Sequence, residues 1–280
     1  MKAYVLTYHS HRILGDDYAS NDHVALRADL ATITSSGFTI VPLDVIVDGL
    51  RDATRPASPQ EKYVALTFDD GPSFDLDDVV HPGFGLQRSF ANIMREFRIE
   101  SGSGAQPRLH ATSFVIASPE ARLQMEETYE REYSFVTPGS LDDGWWGRAI
   151  ETGLLSIGNH SWDHLHPGLR RVAHSQQARG DFSRVSTFED ADAQIYEAMR
   201  YIRSRIGDRV APYFAFPFGT FNEFLTSRYL PARGKDIGLS AAFTTEPRPI
   251  VGGEDVWALP RFVCGHHWRA PQELARILAA

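Results

Sequence analysis

Two short segments of this sequence carry side chains whose types and spacing suit hydrolysis. Thr67-Phe68-Asp69-Asp70-Gly71-Pro72 ends an apolar run in two adjacent carboxylates and then turns. Catalytic groups collect at the carboxyl ends of strands in parallel α/β architectures. Neighbouring residues at a strand end point different ways, so one carboxylate can bind a metal while the other handles a proton. Asp-Gly-Pro would also serve as a plain turn. The second segment, Gly158-Asn159-His160-Ser161-Trp162-Asp163-His164, closes another apolar run. Two histidines four apart lie on one side of a helical turn, which suits joint coordination through neutral imidazoles. With Asp70 the set is two histidines and one carboxylate, three protein ligands that leave a position for water and substrate. His166 is a rival ligand whose spacing from His164 is awkward on a helix. The expected cofactor is one divalent ion: zinc first, with cobalt, nickel or manganese also accepted. Cys264 is the single cysteine, which excludes an intrachain disulfide and a thiolate-cluster zinc site.

The segments TFDDG and HSWDH, in this order and each following a strand, resemble the polysaccharide deacetylase family, that is, the NodB homology domain or carbohydrate esterase family 4. The resemblance covers most of the chain. It runs from Tyr8-His9-Ser10 through Ala111-Thr112-Ser113-Phe114-Val115 to Leu259-Pro260-Arg261. It implies an α/β fold, a distorted (β/α) barrel with about seven parallel strands. It also implies a hydrolase that removes an N-acetyl group from an amino sugar, oligosaccharide or polysaccharide through water activated on the ion. Carried over by position, Asp69 is the general base, and Asp70, His160 and His164 hold the metal. Phe214-Ala215-Phe216-Pro217-Phe218-Gly219 resembles the family's aromatic-Pro-Tyr-Gly motif, in which the backbone N–H of Phe218 would help form the oxyanion hole. Ala215 stands where many members carry an arginine that orients the catalytic aspartate. Arg261 is the natural substitute, since a guanidinium can hold a carboxylate through two hydrogen bonds, although it would serve as well in an ordinary ion pair. The proton for the leaving amine would come from His266 or His267, and His9 is a further candidate near the mouth. Two rivals remain open: an amidase acting on a small cyclic amide or imide, and a carbohydrate-binding protein without catalysis.

Short β-rich runs alternating with helical periodicity point to βα units around a parallel sheet. The expected strands are Ala3–Tyr8, Phe38–Val41, Tyr63–Phe68, Ala111–Ile116, Leu155–Asn159, Pro212–Ala215, Ala241–Thr244 and Ala258–Val263. Leu26, Leu30 and Ile33 mark a helix that Gly37 ends. Further helices are expected over Leu86–Phe97, over Phe188–Ile206 and from Pro271 onward. Arg51 to Glu61 reads as an exposed connection, and Pro72 to Arg108 as an elaborated loop. Trp145, Trp146, Trp162, Phe216 and Phe218 are candidates to line a sugar groove.

A net charge of −8 with a pI near 5.8 argues against a surface built for nucleic acid or an anionic membrane. The partner that the resemblance implies is an N-acetylated carbohydrate or small amide. The 280 residues fit one catalytic domain over 1–280. With neither a leader-like apolar run nor a membrane-length one, a cytoplasmic protein is the expectation.

Overall fold

In the structure, a computed structural model that describes residues 2–51, 62–132, 135–174 and 176–280, the apolar runs become strands of one parallel sheet. These are β1 (Lys2–Tyr8), β2 (Thr39–Ile40), β3 (Lys62–Phe68), β6 (Ala111–Val115), β7 (Leu155–Asn159), β8 (Tyr213–Ala215), β9 (Ala241–Phe243) and β10 (Phe262–Val263). The order is β10-β1-β3-β6-β7-β8-β9, with β2 beside the first half of β3 and every pairing parallel. Strands covered on both faces are apolar throughout, which is why their runs stand out in the sequence. The segment expected as a strand over Ala258–Val263 serves two edges: Leu259 bridges to Phe243 of β9, and Phe262 pairs with Leu6 of β1. Pro260 between them has no N–H for a ladder, so the strand breaks there. The sheet thus curls into a distorted (β/α) barrel, as the resemblance implies.

Side-chain alternation divides each strand between two cores. Ala3, Val5, Ala65, Phe114, Ala215, Phe243 and Leu259 form an inner cluster, joined by Ile46 and Val47 of α2 (Leu43–Arg51). Tyr4, Leu6, Tyr8, Val64, Leu66 and Phe68 pack outward on α1 (Asp22–Ser35), α3 (Phe90–Ser101) and α9 (Pro271–Ala279). Each fully buried Leu, Val or Phe contributes about 1.5–3 kcal/mol. Gly158 on β7 faces the Phe114 ring, which would lie 2.8 Å from an added Cβ. Continuing the alternation, Thr67 and Asp69 fall on the inner row of β3, and Arg261 on that of the closing segment.

The first helix forms as expected, capped by the Asn21 side chain on the N–H groups of His23 and Val24. The helix expected over Leu86–Phe97 does not. Leu86 belongs to an antiparallel hairpin, β4 (Val79–His81) with β5 (Gly85–Gln87), and is exposed. The helix starts after Ser89, whose side chain caps Asn92 N–H while Asp78 accepts the Ser89 N–H. The helix expected over Phe188–Ile206 is interrupted: α6 (Phe188–Ala191) and α7 (Glu197–Ile206) flank a π turn over Asp192–Tyr196. Beyond α2, three further helices went unread in the sequence: α4 (Pro119–Glu132), α5 (Trp146–Glu151) and α8 (Leu230–Ile237). Of the connection expected over Arg51 to Glu61, all but Arg51 lies outside the described residues. No helix among the described residues is long and apolar enough to cross a membrane.

Candidate active site

At the end of β3 the Asp69 N–H still bonds to Tyr8 O (3.1 Å), and then Asp70 and Gly71 both turn left-handed, with φ of 74° and 69°. A Cβ on Gly71 would sit 2.7 Å from the Val115 side chain, so only glycine fits this turn. The turn leaves Asp69 on the inner row and re-aims Asp70. Arg261 meets Asp69 through two parallel bonds, Nη1 to Oδ1 and Nη2 to Oδ2, both 2.8 Å. The guanidinium is fully buried, and it also donates to Thr244 O (3.0 Å) and Thr67 Oγ1 (3.2 Å). Burial works against an ionised Asp69, but Arg261 first and His160 next outweigh it and hold the carboxyl below its ordinary pKa.

The histidine segment is not the helical turn its spacing suggests. Residues 160–164 form an irregular loop after β7, with left-handed backbone at Ser161, His164 and Leu165. The loop follows its own side chains: Asn159 Oδ1 accepts the Ser161 N–H (2.8 Å), and Ser161 Oγ accepts the His164 N–H (2.9 Å). It still brings both rings to Asp70. His160 Nε2 and His164 Nε2 lie 3.5 and 3.4 Å from Asp70 Oδ1. Among the described residues, the six non-glycine residues with positive φ include Asp70, Ser161, His164 and Phe218, so strained backbone gathers at this one place.

His160 Nδ1 lies 2.9 Å from Ala215 O, an atom that can only accept, so Nδ1 carries a proton and Nε2 is the nitrogen that faces the carboxylates. Burial opposes charge on His160, yet Asp69 and Asp70 hold its pKa above the ordinary value. Burial pushes His164 down to about 3, leaving it neutral. Asp70 is buried too, but the hydrogen bond with His160 and the neighbouring His164, His11 and His9 hold it well below the usual carboxylate range. Two imidazole lone pairs around one ionised oxygen need a proton or a cation between them. Donors about 2.1 Å from a tetrahedral ion lie roughly 3.4 Å apart, close to the spacing of each histidine from Asp70. Asp70, His160 and His164 offer ligand atoms all within 4.8 Å of one another, a buried group that could bind a metal ion. The tautomer of His160, fixed by a backbone carbonyl, is one that metal-binding histidines commonly adopt.

These groups floor a cavity of about 440 Å³. His9, His266 and His267 line it, as the sequence suggested, together with His166 and the ring of Phe218, which is 43% exposed and packs edge-on to His164 (4.4 Å). His267 Nδ1 accepts the Val263 N–H (2.7 Å), and burial, then the charge of His266, lowers its pKa. The other proposed groove aromatics lie elsewhere. Trp145, Trp146 and Phe216 are core, and Trp162 packs against Tyr201. Large rings this apolar are worth more inside than as a platform. His11 was not singled out from the sequence, yet its Nδ1 approaches Asp70 Oδ2 (3.6 Å). The only signal for it is its place two residues after His9.

Neither the protein-family models nor the curated proteins give a match to this sequence. Solved structures do. A deacetylase of Streptococcus pyogenes, in complex with acetate, superposes with a TM-score of 0.65 at 14% identity, covering 99% of this chain and 98% of that one. A de-N-acetylase from Aggregatibacter actinomycetemcomitans gives 0.60 at 17% identity, over 98% and 100%. A Bacillus anthracis protein named as a candidate polysaccharide deacetylase gives 0.62 at 14% identity, over 99% and 69%. At such identities the likeness concerns architecture, and the chain has the fold of the polysaccharide deacetylases.

Proposed function

We propose that this protein is a metal-dependent hydrolase that removes an N-acetyl group from an amino sugar or its oligomers, with residues 1–280 acting as one catalytic domain. The observation that carries the reading is the convergence of Asp70, His160 and His164 beside the Asp69–Arg261 pair on the floor of one cavity. The deacetylases among its structural neighbours support the same chemistry. Asp70, His160 and His164 hold one divalent ion, zinc before cobalt, nickel or manganese. When bound, that ion supplies Lewis acidity, lowering the pKa of water toward neutrality and polarising an amide oxygen.

Asp69, kept ionised and oriented by Arg261, takes the proton of the attacking water. The backbone N–H of Phe218 donates to the oxygen that gains negative charge at the acyl carbon. The leaving amine needs a proton from an imidazolium. His267 is poorly placed to give it, because its Nδ1 already accepts a backbone N–H and cannot be protonated without breaking that bond. His266, exposed at the cavity, carries that role instead.

The test is release of acetate from N-acetylated chitooligosaccharides, with metal content followed by elemental analysis. Turnover is lost when a chelator strips the ion and returns with added zinc. A rate unchanged by metal removal overturns the reading. Loss of a cyclic imide in place of acetate release would move the substrate class.

A further inference from the structure

The loop that carries both histidines is anchored on the π turn. Over Asp192–Tyr196 the helical bonding widens, with the Glu197 N–H reaching back to Asp192 O, and the carbonyls of Gln194 and Ile195 accept bonds from outside the helix. Trp162 N–H donates to Gln194 O (2.8 Å), and Asn159 Nδ2 donates to Ile195 O (2.9 Å). The Gln194 side chain, with no exposed surface, adds a second tie: its Nε2 donates to Asp163 Oδ1 (2.9 Å). Asp163 Oδ1 also accepts the Leu165 N–H (2.9 Å), and Oδ2 accepts the Ala173 N–H (2.5 Å). One glutamine thus grips the loop at Trp162 and Asp163, both within the span between His160 and His164.

We propose that Gln194, set by the π turn, is a positioning residue for the metal site: it holds the loop so that the His164 imidazole meets Asp70 and His160 at bonding distance. The proposal rests on the metal assignment made above. The chemistry suits such a role. His164 sits on left-handed backbone (φ 60°), and its Nδ1 is buried with no hydrogen-bond partner among the described residues. Its ring direction is therefore set by the loop and by Phe218, not by a bond of its own, in contrast to His160 with Ala215 O. A regular α-helix over Phe188–Ile206 would return the Gln194 carbonyl to the helix and leave the Trp162 N–H unpaired. π turns inside helices recur at functional sites for this kind of reason.

The experiment measures zinc affinity by chelator competition and records the visible spectrum of the cobalt-loaded full chain, for the wild type and two variants. Q194M removes the amide and keeps the volume, whereas Q194E keeps the shape and sets a carboxylate against Asp163. Loss of a group that orients a metal ligand typically lowers affinity 10–100-fold, and that loss, with an altered cobalt spectrum in a chain of native circular dichroism, is the expected result. Zinc affinity within twofold of wild type in either folded variant, with an unchanged cobalt spectrum, overturns the proposal. So does failure of both variants to fold, because Gln194 would then hold the fold and not the ligand. If the wild type itself binds neither zinc nor cobalt, the metal assignment falls first.

Discussion

Two strand ends meet at the cavity floor and are held in opposite ways. At the end of β3 a charge is fixed by a charge: Asp69 is buried against the fully buried Arg261, and its pKa is lowered. After β7 a buried carboxylate is fixed by neutral donors alone: Asp163 accepts from Leu165, Ala173 and Gln194, and burial raises its pKa. Both aspartates are 3% exposed, so the partner and not the depth decides the direction. The first arrangement keeps Asp69 ionised, as the proposed base must be. The second ties down the loop between the two proposed metal ligands.

The comparison breaks most visibly at Asp69. D69N keeps its shape but cannot take a proton, and turnover should fall about 10²- to 10⁴-fold with metal content unchanged. Retained turnover with bound metal would remove Asp69 from the base role. Next comes its partner. R261M leaves a buried carboxylate without its cation, which should destabilise the fold by about 3–5 kcal/mol in denaturant unfolding. A loss under 1 kcal/mol would mean that Asp69 finds water or another donor there.

Asp29 sharpens the contrast away from the site, as a second carboxylate held only by neutral donors: the hydroxyls of Tyr8 and Tyr18 and the indole N–H of Trp268. Burial raises its pKa to about 6. A folded value above the unfolded one means that its contribution is full below about pH 4 and is lost as pH rises through 6. Between pH 3 and 7 the wild type should therefore lose about 3 kcal/mol relative to D29N, read from parallel unfolding curves. Parallel pH profiles would show that Asp29 titrates normally. The smallest effect is expected at the turn: G71A strains a left-handed residue against Val115 and should cost about 1–3 kcal/mol without moving the pH profile.

Much of this was legible in the residues, for reasons that differ by region. Strands such as β7 read cleanly because a parallel sheet buries both faces and leaves unbroken apolar runs. Leu86 misled because an exposed leucine on a hairpin has the same letter as one on a helix face. The histidine spacing pointed to a pair that the structure does bring together, but through the wrong geometry: a loop with left-handed residues, not a helical turn, brings His160 and His164 to Asp70. Trp145 and Trp146 looked like a sugar platform because sequence does not tell which side of the sheet a ring enters. Gln194 was invisible, since its role exists only once the helix widens by one residue. Arg261 was accessible through the resemblance, as the substitute for the arginine that Ala215 replaces, although the sequence left an ordinary ion pair equally open.

The closing segment between Leu259 and Phe262 also sets an order of events. The guanidinium that neutralises Asp69 comes 192 residues later, on the last piece to join the ring. A nascent chain must carry the aspartate unmatched until synthesis is nearly finished. The proposed hydrolytic competence then arrives together with completion of the barrel, and a chain cut before residue 258 would lack the cation that pairs with its proposed base even with every proposed metal ligand in place.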